Sequence, residues 1–122
     1  MKRGGPLKRS AAPKRSKGVR KRNPERRASE FARCYGSEAR VAAMKMRPCD
    51  ACGWPPDMIA YNDCAHVKGG GAGRKAGWQE TLTLCRFCHR KFHEVGSVQA
   101  FDRAMGTDLR AVAARLAVEI TP

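Results

Sequence analysis

Cys49 and Cys52 form one Cys-x-x-Cys pair, and Cys85 and Cys88 form a second, with 32 residues between the pairs. The second pair runs straight into two histidines, His89 and His93, in the stretch CRFCHRKFH. Four cysteines at this spacing suit a closed tetrahedral zinc site. Four thiolates leave no open position for water, so such a zinc staples the chain and does no chemistry itself. His89 and His93 lie four residues apart and share one face of any helix that carries them. They can therefore grip a second divalent ion while leaving positions free for water and phosphate oxygens. The third and last histidine, His66, falls between the two cysteine pairs on an extended segment. A neutral imidazole can take a proton from water near neutral pH. Phosphodiester hydrolysis needs such a base, and a metal to stabilise charge building on phosphate and leaving oxygen.

These side chains sit in a chain of 122 residues, enough for one small domain. Only eight residues are aromatic, and much of the 42% hydrophobic content is alanine. A domain so poor in large side chains needs a staple, which a zinc site supplies. The formal net charge is +14 and unevenly spread. Residues 1–27 hold 12 of the 25 Lys/Arg and one acid, Glu25, whereas the other 95 residues hold 13 bases and 10 acids. Such an arm suits nucleic acid, through phosphate neutralisation and counterion release. It has no amphipathic apolar face for a membrane. Neither a secretory apolar run nor a membrane-spanning stretch is expected. The expected setting is cytoplasmic, where reduced thiols favour metal over disulfides.

Residues 1–24 read as a disordered basic arm, and 25–122 as the folded domain. Pro24 and Glu25 can open a helix. Residues 25–46 place Phe31, Tyr35 and Ala39 at helical spacing, with Gly36 a possible break. Pro48 ends this section, and CDACGWPP forms the first zinc knuckle. Residues 58–61 and 64–68 read as short strands joined by a turn at Asn62 and Asp63. Residues 69–77 form a Gly-rich loop. Residues 81–84 are extended and lead to the second knuckle, and residues 86–94 form the helix of His89 and His93. Two further helices are expected over 97–105 and 108–120. Gly106 separates them, and Thr107 or Asp108 caps the second.

The loop sequence GGGAGRK lacks the phosphate-loop pattern, so no nucleotide cofactor is expected. Lys68, Arg74 and Lys75 can instead touch a phosphate backbone, the plainer alternative being a solvated connector. Cys64 shares a strand face with His66, but a small buried hydrophobe is its simpler role. Trp54 and Trp78 are expected to cover the knuckle and loop. Leu109, Val112, Ala113, Leu116 and Ile120 form a packing stripe, against the domain core or a second subunit, so the oligomeric state stays open.

Taken together, CDAC, CAHVKGGGAGRKAG and LTLCRFCHRKFHEVG resemble the HNH endonucleases, also called ββα-metal or His-Me finger nucleases. The resemblance is closest to small HNH proteins of phages and prophages, and it extends to the C-terminal VQAFDRAMGTDLRAVAARLA. It implies an α+β fold: a small ββα-metal domain with a structural four-cysteine zinc site and flanking helices. It also implies a metal-dependent DNA endonuclease leaving 5′-phosphate and 3′-hydroxyl ends. His66 matches the general base. His89 and His93 match the ligands of the catalytic ion, with Mg2+ or Mn2+ as candidates among divalent ions. Cys49, Cys52, Cys85 and Cys88 match the structural zinc ligands. Glu80 falls near the family's middle Asn and would accept a bond from the His66 ring. Ala65 stands where many members carry a third metal ligand, and it cannot ligate. Arg86, Arg90 and Lys91 would contact flanking DNA phosphates from the histidine helix. The alternative is a zinc-stapled nucleic-acid-binding protein without catalysis.

Overall fold

A computed structural model describes residues 4–5, 23–57, 60–67 and 75–122. Most of the basic arm, together with Lys68 and Arg74 of the loop, lies outside the described residues. The fold is α+β, with five helices and one two-stranded sheet among the described residues.

Helix α1 (Pro24–Tyr35) begins where Asn23 Oδ1 accepts from the Glu25 N–H at 2.9 Å. Proline occupies the first turn, where its missing N–H costs nothing. The helix stops at Gly36, whose φ of +84° favours glycine. A Cβ there would also lie 2.7 Å from the Pro122 ring, so Pro122 packs against residue 36. Ser37 caps α2 (Glu38–Lys45), accepting from the Arg40 N–H at 3.1 Å. The helical stretch expected over 25–46 is therefore two helices, divided at Gly36.

Strands β1 (Asp63–His66) and β2 (Thr81–Leu84) pair antiparallel, with Asp63 opposite Leu84 and His66 opposite Thr81. This corrects the expected hairpin. Ala60 and Tyr61 are not strand, Met58 and Ile59 lie outside the described residues, and the partner of β1 is 81–84. The Asn62-Asp63 dipeptide is no turn. Asn62 is buried, and its Nδ2 donates to the carbonyls of Arg47 (2.8 Å) and Trp54 (3.0 Å). Those carbonyls needed a donor, and that need outweighs the local turn propensity of Asn-Asp.

All four residues of β2 are buried although they alternate polar and apolar. The threonines bond to the helical side. Thr83 Oγ1 donates to the Met44 carbonyl (2.7 Å), and Thr81 Oγ1 accepts from Arg40 Nη1 (2.5 Å). Leu82 and Leu84 belong to the apolar core with Met44, Phe101, Leu109 and Leu116. The strand is thus covered on both faces, and its hydroxyls are satisfied internally.

Helix α3 (Arg86–Val95) follows β2 after one residue and ends at Gly96, with α4 (Val98–Met105) and α5 (Leu109–Glu119) after it. Ser97 caps α4, and Asp108 caps α5 by accepting from the Ala111 N–H at 3.2 Å. Leu109, Ala113 and Leu116 are buried, so the C-terminal stripe closes the chain's own core against β2 and the 3-10 turn Trp78–Glu80. Arg40 ties this end down, its Nε donating to the Ile120 carbonyl at 2.6 Å. Among the described residues no helix is long and apolar enough to cross a membrane.

Candidate metal centre and histidine cleft

The sulfurs of Cys49, Cys52, Cys85 and Cys88 lie within 4.8 Å of one another, with the Cys52 and Cys85 Sγ atoms 3.7 Å apart. A tetrahedron with Zn–S bonds of about 2.3 Å has edges of roughly 3.8 Å. The four side chains could therefore hold a metal ion such as zinc. Burial and the neighbouring thiols push Cys88 far above the ordinary thiol range. Burial also raises Cys52. Cys49 shifts down, because N–H groups of Cys52, Cys85 and Ala51 together outweigh the effect of its burial. Thiols this close resist ionising alongside one another, and a cation that displaces their protons removes the conflict.

The backbone around the cluster is wrapped for the purpose. Gly53, at φ +75°, lets its N–H return to the Cys49 carbonyl at 2.9 Å. Cys85 is also the N-cap of α3, its sulfur accepting from the Cys88 N–H at 3.4 Å. Asp50 joins the two knuckles. Its Oδ2 accepts from the Thr83 N–H (2.8 Å), and both its oxygens accept from Arg47 (3.0 and 3.1 Å). Neither Asp50 nor Asn62 stood out in the sequence, because each is a common loop residue whose role depends on a partner distant in the chain.

His66, His89 and His93 all line one cleft of about 530 Å3, with Tyr35, Lys75 and Arg110 also on its walls. His89 and His93 come from successive turns of α3, and His66 ends β1. The Nε2 atoms of His89 and His93 are 3.1 Å apart. Two imidazole nitrogens sharing one ion at about 2.0–2.1 Å lie roughly 2.9–3.4 Å apart between octahedral and tetrahedral angles. The pair therefore fits a shared ion. His89 Nδ1 donates to Asp63 Oδ2 at 3.1 Å, which leaves the His89 Nε2 lone pair for a ligand. Asp63 is a residue that sequence reasoning missed, since an aspartate beside an asparagine signals a turn first.

His66 Nε2 donates to the Cys34 carbonyl at 2.7 Å, because a carbonyl can only accept. In the neutral ring Nδ1 is then the unprotonated nitrogen. Tyr35 packs edge-on against the ring, with centroids 5.0 Å apart. Burial pushes the His66 pKa below its ordinary value, aided by the charges of Lys75 and Arg33 and opposed by the Cys34 and Ala76 backbone. The Lys75 ammonium donates to the Tyr35 hydroxyl at 2.7 Å, which raises its own pKa.

Glu80 does not take the place expected for it. Its backbone carbonyl accepts from the Val67 N–H at 2.9 Å, while the His66 ring is held by Cys34 of α1. Helix α1 reaches the ring first, so the orienting acceptor comes from an element whose sequence gives no sign of it. Ala65 is buried beside His66 and offers no ligand. Cys64 lines the cleft, partly buried against the core, and burial raises its thiol pKa. Arg86 and Arg90 are exposed on α3 and Lys91 is half-buried there. Trp54 does not cover the knuckle as expected but is largely exposed, whereas Trp78 is half-buried under the Arg40 guanidinium, 5.0 Å from its ring centre.

No family model, curated protein or solved structure matches the chain.

Proposed function

We propose that the protein is a metal-dependent DNA endonuclease of the HNH type, with His66 as general base and His89 and His93 as ligands of a divalent ion. The observation that carries this reading is the common cleft. The chain has three histidines, and all three line it. One has a depressed pKa and a ring held through Nε2, and the other two have converging Nε2 atoms.

The geometry supports a role for each residue. Neutral His66 accepts a proton from water at Nδ1, while its Nε2–H stays on the Cys34 carbonyl and holds the ring in place. Lys75 and Arg110 give the cleft a positive lining that favours a phosphate. Asp63 orients the His89 ring. A bound divalent ion would stabilise charge on the scissile phosphate and the leaving oxygen. Arg86, Arg90 and Lys91 supply cations along the same helix, and the net charge of +14 favours a polyanionic substrate.

A specific observation favours a second reading, a zinc-stapled nucleic-acid-binding protein without catalysis. Ala65 supplies no third ligand, and among the described residues His89 and His93 are the two groups that converge on the second site. Digestion of supercoiled plasmid separates the two. With Mg2+, Mn2+ or Ni2+ added, wild type should nick or linearise DNA, and His66→Ala should lower the rate about 100- to 10,000-fold at unchanged DNA affinity. Wild type that binds DNA but cleaves it with none of these ions is a binding protein.

A further inference from the structure

A second cavity, of about 430 Å3, opens on the metal-cluster side of the molecule. Its walls include Trp54, Tyr61 and Phe87, and the Cys52 and Cys85 side chains border it. These three rings are exposed to an unusual degree, at 66% for Trp54, 49% for Tyr61 and 73% for Phe87. A small domain with few aromatic residues leaves three of its largest side chains in water around one hollow, and packing does not account for that.

We propose that this hollow is a stacking site for an unpaired nucleobase of single-stranded DNA. Three features select that ligand. First, the described lining residues include aromatic rings but no leucine, isoleucine, valine or methionine, so they offer flat π-faces rather than the aliphatic sockets a peptide anchor fills. Second, the charge at the rim is positive. Arg86 lines the cavity, the Lys45 ammonium sits 4.9 Å from the centre of the Tyr61 ring, and no carboxylate is among the described lining residues. A strand with one base in the hollow would present its phosphates to those cations. Third, the volume falls in the usual range for small-ligand pockets, roughly 300–1,000 Å3.

The cysteine cluster gives the site its rigidity. Trp54 follows Gly53 of the first knuckle, and Phe87 lies between the two cysteines of the second. A metal held by both knuckles therefore fixes the separation of these two walls. Asn62 Nδ2 adds a bond to the Trp54 carbonyl at 3.0 Å. Phe87 also precedes His93 by six residues on α3, about 9 Å along the helix axis. The inference rests on the nucleic-acid part of the proposed function and not on cleavage.

The test uses full-length protein without added divalent ion, a short oligothymidylate, and an abasic strand of equal length and charge. Affinities come from anisotropy, and base contact from quenching of tryptophan fluorescence. Zinc content and circular dichroism should match wild type in every variant. Oligothymidylate should bind more tightly than the abasic strand and quench Trp54. Trp54→Ala and Phe87→Ala should each weaken oligothymidylate binding roughly 5- to 100-fold, the span of one base–aromatic stack, and leave the abasic strand unchanged. Trp54→Phe should keep most of the affinity while abolishing the quenching. Wild-type affinity for oligothymidylate in both alanine variants overturns the proposal and leaves the hollow to a protein partner. Equal loss on both strands overturns it too, since the effect is then on charge or fold. If wild type binds neither strand, the nucleic-acid reading fails along with it.

Discussion

Asp50→Ala should strip the brace between the two cysteine knuckles while removing no cysteine. The Asp50 carboxylate accepts the Thr83 N–H at 2.8 Å and a two-pronged bond from Arg47 at 3.0 and 3.1 Å. Its side chain is 8% exposed and that of Arg47 is 23% exposed. Thr83 is completely buried, so its N–H would lose its partner where water cannot replace it, at about 1–3 kcal/mol. Arg47 keeps contact with solvent, so the lost ion pair adds only about 0.5–1 kcal/mol. The expected loss is therefore about 1.5–4 kcal/mol, a large share of the roughly 5–15 kcal/mol that stabilises a typical domain. Asp50→Asn keeps a carbonyl oxygen for the Thr83 N–H and should cost about 1 kcal/mol, mainly the charge. Urea unfolding at a fixed excess of zinc measures both variants on the same footing. Release of zinc to a chromophoric chelator should also speed up in the order wild type, Asp50→Asn, Asp50→Ala. If the alanine variant unfolds within about 0.5 kcal/mol of wild type, the knuckles are not held by this carboxylate. If asparagine costs as much as alanine, the charge matters and the buried N–H does not.

Four further outcomes are expected. The cleavage rate should rise with pH through an apparent pKa below 6.5, because burial and the nearby cations of Lys75 and Arg33 favour neutral His66; an acid limb at or above 6.5 would contradict this. The same shift means that the unfolded chain binds more protons below about 6.5, so stability should fall as pH drops through that window, and His66→Gln should flatten the slope measured by urea unfolding. Elemental analysis should find about one tightly held zinc per chain, and Cys88→Ser should lose both zinc and cooperative unfolding, since binding and folding are coupled; a folded, zinc-free variant would refute that. Removing residues 1–24, which hold 10 of the 25 Lys/Arg, should weaken DNA binding and flatten its salt dependence by about 0.9 in log–log slope per lost phosphate contact; unchanged affinity and slope would leave the arm no DNA role.

What could be read from the sequence was what neighbouring residues decide. The helix of His89 and His93 carries its own cap in Cys85 and its own stop in Gly96, and it spans 86–95 where 86–94 was expected. Helices α4 and α5 are bounded by Ser97, Gly106 and Asp108, whose effects are equally local. The four cysteines gather as their spacing suggested. What escaped was pairing at a distance. Residues 58–61 have strand composition and proximity to β1, yet β1 pairs with 81–84, which the knuckle holds through the Asp50 N–H to the Thr83 carbonyl at 2.8 Å. His66 met a carbonyl from α1 in place of Glu80 for the same reason. A backbone carbonyl has no residue type to advertise it, so no motif could have named Cys34.

The two halves of the candidate site are held by different means, and this makes their failures separable. Cys85 caps α3 and Cys88 lies in its first turn, so the cluster sets where the helix starts and the phase at which His89 and His93 leave it. Asp63 then fixes the His89 ring from the first residue of β1. His66, at the other end of that four-residue strand, depends instead on α1 through Cys34 and Tyr35. Loss of the Asp63 bond should therefore loosen the histidine pair before it disturbs His66. Damage to α1 should free the His66 ring while the pair stays aligned. Asp63→Ala probes the first arrangement without removing any cysteine or histidine. With one orienting bond gone from a ligand, divalent-ion affinity at the pair should fall about 10- to 100-fold while the tightly held zinc remains. Titration of the zinc-loaded protein with Ni2+ or Mn2+, followed by isothermal calorimetry, reads this directly. Equal ion affinity in wild type and Asp63→Ala would show that the carboxylate does not act through His89.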